Sequence, residues 1–157
     1  MKKLQTELTF IGRPFADHLM NEQKSFTECN QELENDAGFQ QFLTANHLEK
    51  QRGSLVVFGP ENFMYWYGVI APSVVETPAG LMKFVLPEGQ VAQEELANQS
   101  LAFFAQPLNV VIPEFLQKIS AAGITTYENL GDSMTPYVLQ TLDTTTQTLT
   151  QRLYLEG

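Results

Sequence analysis

Apolar and polar positions follow a period of two most clearly over residues 61–69, Glu-Asn-Phe-Met-Tyr-Trp-Tyr-Gly-Val. Four of the nine are aromatic, and the chain's single tryptophan is at the centre. Tyr, Trp, Phe and Val favour extended backbone, so the stretch is expected to be a β-strand. Alternation puts Phe63, Tyr65 and Tyr67 on one face and Met64 and Trp66 on the other. One face is expected to enter the core. The other is a candidate wall for a flat, apolar guest, because Tyr and Trp combine a large apolar body with a polar handle. The alternative, with both faces packed by the chain itself, stays open.

The rest of the pattern surrounds this strand. Residues 8–11 read as a short strand that Gly12-Arg13-Pro14 ends. Ser25 or Thr27 can cap a helix bearing Phe26, Cys29 and Leu33. Its continuation through Phe39, Phe42 and Leu43 is expected to break at residues 35–38. Residues 55–58 form a second strand, and the short link 59–62 pairs it with the aromatic strand as an antiparallel hairpin. A turn-rich loop over 71–80 leads to extended residues 81–86. Pro87-Glu88-Gly89 then makes a tight turn into a strand at 90–96.

Pro113 suits the first turn of a helix carrying Phe115, Leu116, Ile119 and Ala122, with residues 108–112 in an earlier turn. Gly123 suits a left-handed end to that helix. Residues 137–142 and 148–155, joined by a Thr-rich turn, predict a closing hairpin. The class is therefore α+β, an antiparallel sheet with helices packed on one face, and one domain is expected over 1–157. Strand, helix and hairpin occur twice, so a crevice is expected where the two halves meet.

Composition narrows the partners. The chain has 157 residues, 43% of them hydrophobic, and a formal net charge of −9. Its 9 Lys and Arg are scattered, with only Lys2 and Lys3 adjacent, so there is no cationic cluster to displace counterions from phosphates. Direct nucleic-acid binding is not expected. No stretch approaches 18 consecutive apolar residues, which gives no membrane-spanning helix, and the N-terminal residues carry no apolar core of a secretory signal. One cysteine, Cys29, leaves no internal disulfide and fits a reducing compartment, with the cytoplasm the default expectation.

The residues for catalysis or metal binding do not assemble in the sequence. His18 and His47 are far apart, and neither has a second His or Cys at ligand spacing, so no metal site and no cofactor are expected. Cys29 reads as helix packing. Asp132-Ser133 lacks a Gly-x-Ser-x-Gly elbow, no glycine-rich phosphate loop is present, and Glu94 and Glu95 alternate across a strand, facing opposite ways.

Residues 63–69, followed by Thr77-Pro78-Ala79-Gly80 and the run Leu81 to Ala92 with its Pro87-Glu88-Gly89 turn, resemble the GyrI-like small-molecule-binding domain. This is also called the bacterial transcription activator effector-binding domain. The resemblance implies two pseudo-symmetric βαββ halves enclosing an aromatic groove for flat hydrophobic or cationic organic molecules. It also implies a glutamate in the penultimate strand that reads the ligand's charge, and here the sequence departs. Residues 136–143 contain no glutamate, and Val138 or Leu139 occupies the place, depending on register. The tryptophan often found on the first helix of relatives is missing too. Gln140 can offer a neutral hydrogen bond and Tyr137 an aromatic wall. The expected ligand-binding set is Phe63, Tyr65, Trp66, Tyr67, Tyr137, Gln140 and Tyr154.

Two functional readings follow. One is a stand-alone module that senses or sequesters an aromatic compound; lacking a helix-turn-helix, it would act on transcription or a topoisomerase through a protein partner. The other is a small hydrolase that uses the same groove with Glu128 or Asp143 as base. General-base work needs a positioned carboxylate, and this favours binding over catalysis. Glu94 and Glu95 are the remaining acids that could read charge, although carboxylates are rarely buried.

Overall fold

The structure, a computed structural model, describes residues 1–156. Its strands are β1 (Lys2–Gln5), β2 (Leu8–Ala16), β3 (Gln51–Phe58), β4 (Phe63–Ala71), β5 (Met82–Leu86), β6 (Gly89–Leu96), β7 (Tyr137–Asp143) and β8 (Thr148–Tyr154). The helices are α1 (Thr27–Glu34), α2 (Ala37–Ala45) and α3 (Leu108–Ala121). The strands form one antiparallel sheet in the order β1-β6-β8-β7-β3-β4-β2-β5. The expected α+β class and the two similar halves are both present. β1–β4 and β5–β8 follow one plan, and β7 and β3 meet at the seam.

Each half gives its first strand to the other. β1 pairs with β6 and β5 pairs with β2. Only residues 87 and 88 separate β5 from β6, yet six strand spacings lie between these strands in the sheet. In a flat sheet that is roughly 29 Å, whereas three Cα–Cα steps reach at most about 11 Å. The link between β1 and β2, residues 6 and 7, imposes the same demand. The sheet must therefore roll until its edges approach. Phe84 on β5 and Tyr137 on β7, four spacings apart, have ring centroids 5.5 Å from each other.

Rolling creates two cores. Phe10, Leu55, Trp66, Leu86, Val91, Leu139 and Tyr154 fill the helix-free face. The other face packs Ile11, Val56, Tyr65, Tyr67, Val138 and Leu153 against Phe26 and Leu33 of the α1 segment, Phe39 and Leu43 of α2, and Val111, Phe115 and Ile119 of α3. Burying each such side chain stabilises by roughly 1.5–3 kcal/mol.

Local chemistry sets the helix boundaries. The Ser25 hydroxyl accepts from the Thr27 N–H at 3.1 Å, and Asp36 caps α2 by accepting from the Phe39 N–H at 3.0 Å, which makes the expected break. Gly123, at φ 83°, ends α3 with Gly123 N–H to Ser120 O at 3.0 Å and Ile124 N–H to Ile119 O at 3.2 Å, a Schellman closure.

The structure departs from the sequence reading at four points. β1 was not anticipated, because Lys-Lys-Leu-Gln carries little apolar signal. Gly12-Arg13-Pro14 does not end β2; Pro14 sits beyond the reach of β5, where β2 has a neighbour on one side only and no donor is missed. α3 starts at Leu108 after Pro107, with Pro113 inside it. The bond lost there costs about 3 kcal/mol, less than the burial of Val111, Ile112, Phe115 and Ile119 returns. Finally, the turn at residues 87–88 joins strands that do not pair.

Gly12, Gly68 and Gly53 form a row across β2, β4 and β3. A Cβ on Gly12 would clash with the Tyr67 carbonyl oxygen, and one on Gly68 with the Ile11 carbonyl oxygen. The Phe10 ring lies over this bare backbone. Gly68→Ala should therefore destabilise by roughly 2–4 kcal/mol in urea unfolding. Gly89→Ala, with nothing within 4 Å of the added carbon, should stay within about 0.5 kcal/mol.

Candidate ligand-binding groove

Register places a line of polar residues across the helix-covered face. Arg13, Tyr67 and Ser54 on β2, β4 and β3 continue as Gln140, Gln151 and Glu94 on β7, β8 and β6. The seam of the two halves runs between Ser54 and Gln140. Both are almost fully buried, at 1% and 2% exposure, as is Gln151 at 2%. The Gln151 amide donates to Gln140 Oε1 at 2.9 Å, and the Gln140 amide donates to the Ser54 hydroxyl at 3.4 Å. Buried amides are tolerated only when bonded, and this chain of bonds meets that need with uncharged groups.

A groove runs above this line, between the sheet and the segment formed by the 3-10 turn Leu101–Ala105 and α3. Its open, apolar end has a volume of about 340 Å³, walled by Met20, Val56, Phe58, Phe63, Leu108, Ile112 and Pro113, with Lys24 and Asn109 at the rim. A separate cavity of about 10 Å³ lies over Ser54, Tyr65 and Gln140, lined by Phe103, Phe104, Leu108 and Val111. Past Phe103 a third pocket of about 180 Å³ lies beside Gln151, Glu114 and Lys118. Glu94 reaches Lys118 at 3.5 Å through one oxygen, while its other oxygen is buried without a partner.

One flank is held by a charged cluster. Arg52 clasps Glu34 with two hydrogen bonds of 2.8 and 3.0 Å, Tyr67 donates to the same carboxylate at 2.6 Å and Gln40 at 3.1 Å. Burial pushes the Glu34 carboxyl up, but the hydrogen bonds from Arg52 and Tyr67 outweigh it and hold the group below the usual glutamate range. Burial, with Glu34 beside it, raises the Tyr67 phenol well above its ordinary value. Tyr65 stacks on Phe26 at 4.1 Å and donates to Asn30 at 2.8 Å; burial raises its phenol as well. These groups are mutually satisfied, which suits scaffold better than acid–base chemistry.

The structure divides the seven expected site residues between the two faces. Phe63, Tyr65, Tyr67 and Gln140 lie on the helix side, where Phe63, Tyr65 and Gln140 border the groove. Trp66, Tyr137 and Tyr154 lie on the other side, where Trp66 is 7% exposed and meets Phe10 and Phe84 edge-on at 6.3 and 5.7 Å. Tyr154 packs on Tyr137 at 5.7 Å with its hydroxyl buried and unpartnered, and burial pushes that phenol up to about 12. Of the two residues expected in place of the family's glutamate, Val138 faces the helices and Leu139 the second core.

Sequence reasoning passed over Ser54, Gln151, Lys24 and Phe103-Phe104. Ser54 interrupting an apolar strand was the one available signal. Glu128 is exposed, and Asp143 accepts from the Thr145 and Thr146 N–H groups, which hold its carboxyl low; neither borders the groove. A separate polar cleft of about 410 Å³ lies by the end of β8, and its one carboxylate, Glu156, is engaged by Tyr127 and the Met134 N–H. No group of three or more metal-ligating side chains occurs among the described residues, and none of their helices is long and apolar enough to cross a membrane.

The rolled antiparallel sheet of two strand-swapped halves, with helices over one face, is consistent in fold with the GyrI-like domain that the sequence resembles. Among solved structures, the chain is similar to SAV2435 bound to tetraphenylphosphonium, with 13% identity and a TM-score of 0.55, over 100% of this chain and 93% of that one. It is also similar to an integron cassette protein from the mobile metagenome of Vibrio cholerae, with 7% identity and a TM-score of 0.62, over 99% and 95%. A third likeness is to EcmrR in a cryo-EM complex with DNA, with 8% identity and a TM-score of 0.53, over 100% of this chain and 57% of that one. No protein-family model and no curated protein sequence matches the chain.

The Glu34 carboxyl is lower in the folded than in the unfolded chain, so its stabilisation is complete above the ordinary glutamate range and lost as pH falls through the folded value. Urea midpoints measured from neutral to acid pH should fall across that window. Glu34→Ala, which strands the buried Arg52, should cost roughly 3 kcal/mol at neutral pH and flatten the acid-side slope.

Proposed function

We propose that this chain is a small-molecule-binding module that takes a flat or bulky aromatic organic compound in the groove between α3 and the sheet. The observation that carries the reading is the apolar chamber of about 340 Å³ beside Phe63 and Ile112, which shares Leu108 with a small cavity over the buried, uncharged pair Gln140 and Ser54. Ligand sites are concave, mainly apolar and carry a few converging polar groups. The likeness in fold to a protein solved with tetraphenylphosphonium and to one solved on DNA supports a module related to transcription regulators. A protein partner would then relay occupancy. Phe63 and Tyr65 supply ring surface, and Gln140 a neutral donor or acceptor. Phe103 and Phe104 fill the narrow middle and would have to shift for a longer ligand to reach it.

The hydrolase reading has no positioned base in its favour, because neither Glu128 nor Asp143 borders the groove. Titration with the neutral dye N-phenyl-1-naphthylamine, followed by its fluorescence, should give saturable binding. Asn109→Trp at the exposed rim should weaken it at least about tenfold, equivalent to 1.4 kcal/mol, with thermal unfolding unchanged. Trp66→Phe, on the opposite face, should leave it within about twofold, equivalent to 0.4 kcal/mol. No binding, or binding indifferent to Asn109→Trp, would refute the groove.

A further inference from the structure

The charge at the groove's mouth has a definite sign. Lys24 is the one ionisable residue bordering the apolar chamber, and it forms no ion pair among the described residues. Its backbone is held in the left-handed region at φ 62°, a conformation that disfavours any residue with a Cβ. Three contacts hold it there. The Lys24 N–H donates to the Asn21 carbonyl at 3.0 Å, its carbonyl accepts from the Leu108 N–H at 3.0 Å, and Asn21 Oδ1 accepts from the Gln23 and Ser25 N–H groups. The lysine is thereby tied to the first residue of α3.

That end of α3 adds to the same polarity. The helix is 14 residues long, it starts after Pro107 with no side-chain cap, and its first turn contains no acid. The N-terminal end of a helix carries partial positive charge. The net charge of −9 works against anions at long range, but at physiological salt such fields decay over about 8 Å, and Lys24 is the one charged side chain that lines the chamber itself. No carboxylate lines the chamber, and the nearby Glu28 is occupied by the Asn21 amide at 3.0 Å.

Building on the groove reading, we infer that its ligand is an amphipathic organic anion, an aromatic carboxylate or sulfonate. Its rings occupy the chamber beside Phe63 and Ile112, and its acid group sits at Lys24. Hydrogen bonds to charged groups outweigh neutral ones, so the acid adds affinity that a neutral analogue lacks.

The test compares 8-anilinonaphthalene-1-sulfonate with N-phenyl-1-naphthylamine, which share a ring body and differ in the sulfonate. The full chain should bind the sulfonate at least about tenfold more tightly, and 0.5 M NaCl should shrink the preference. Lys24→Met should bring the ratio near one. So should Lys24→Gly, which suits the left-handed backbone and guards against a folding defect. Equal affinities in the unaltered chain, or a preference that survives both substitutions, would overturn the anion assignment while leaving the groove intact. Failure of both dyes to bind, or binding insensitive to Asn109→Trp, would remove the groove and the assignment together.

Discussion

Two links of two residues each decide the shape of this molecule. Residues 6–7 and 87–88 carry the chain from a strand at one edge of the sheet to the strand next to the opposite edge. Neither can span the width of a flat sheet, so the sheet rolls toward its helix-free face. Rolling buries Trp66, Leu55 and Leu139 without any covering layer. It also shapes the outer face, where helices with a gap between them replace a continuous cover. The glycine row at 12, 68 and 53 lets the strands bend, and the Phe10 ring occupies the space the missing side chains leave.

The consequence for the site lies in register. Antiparallel pairing about a seam brings one position from each of six strands into line. Four of the six side chains are uncharged, Arg13 and Glu94 are paired with Asp36 and Lys118, and the three at the middle are amides and a hydroxyl bonded to one another. Replacing them with aliphatics would remove the cost of burying polar groups. They lie beneath a narrow gap that Phe103 and Phe104 fill.

Charge is distributed to match. The strong pair, Glu34 with Arg52, is closed on itself and braces α1 against β3 and β4. Arg13 is similarly spent, on Asp36 at 3.1 Å. The groove's open end is left with a single lysine, and its far end with Glu114 and Lys118. The charged groups therefore lie at the rims, while the interior is apolar with uncharged, hydrogen-bonded groups.

The sequence by itself determined the local elements. Alternation in residues 63–69, the Asp36 cap, the Gly123 stop and the closing hairpin could all be read because each depends on neighbours in the chain. It also offered Phe63 and Tyr65 as candidates, since large rings stand out at short range, while Gln140 came from the resemblance and not from local pattern. Tertiary structure alone decided the rest. Whether Trp66 or Tyr65 faced the helices depends on the side to which the sheet rolls, and that follows from pairings between strands more than eighty residues apart. The Pro87-Glu88-Gly89 turn looks like a hairpin because turn chemistry reports only the direction of the chain. Which strand it then pairs with is fixed by the competition among all edges for backbone partners. Lys24 and Phe103 carry no local signal of function, and the groove brings them into play only once α3 has settled on the sheet.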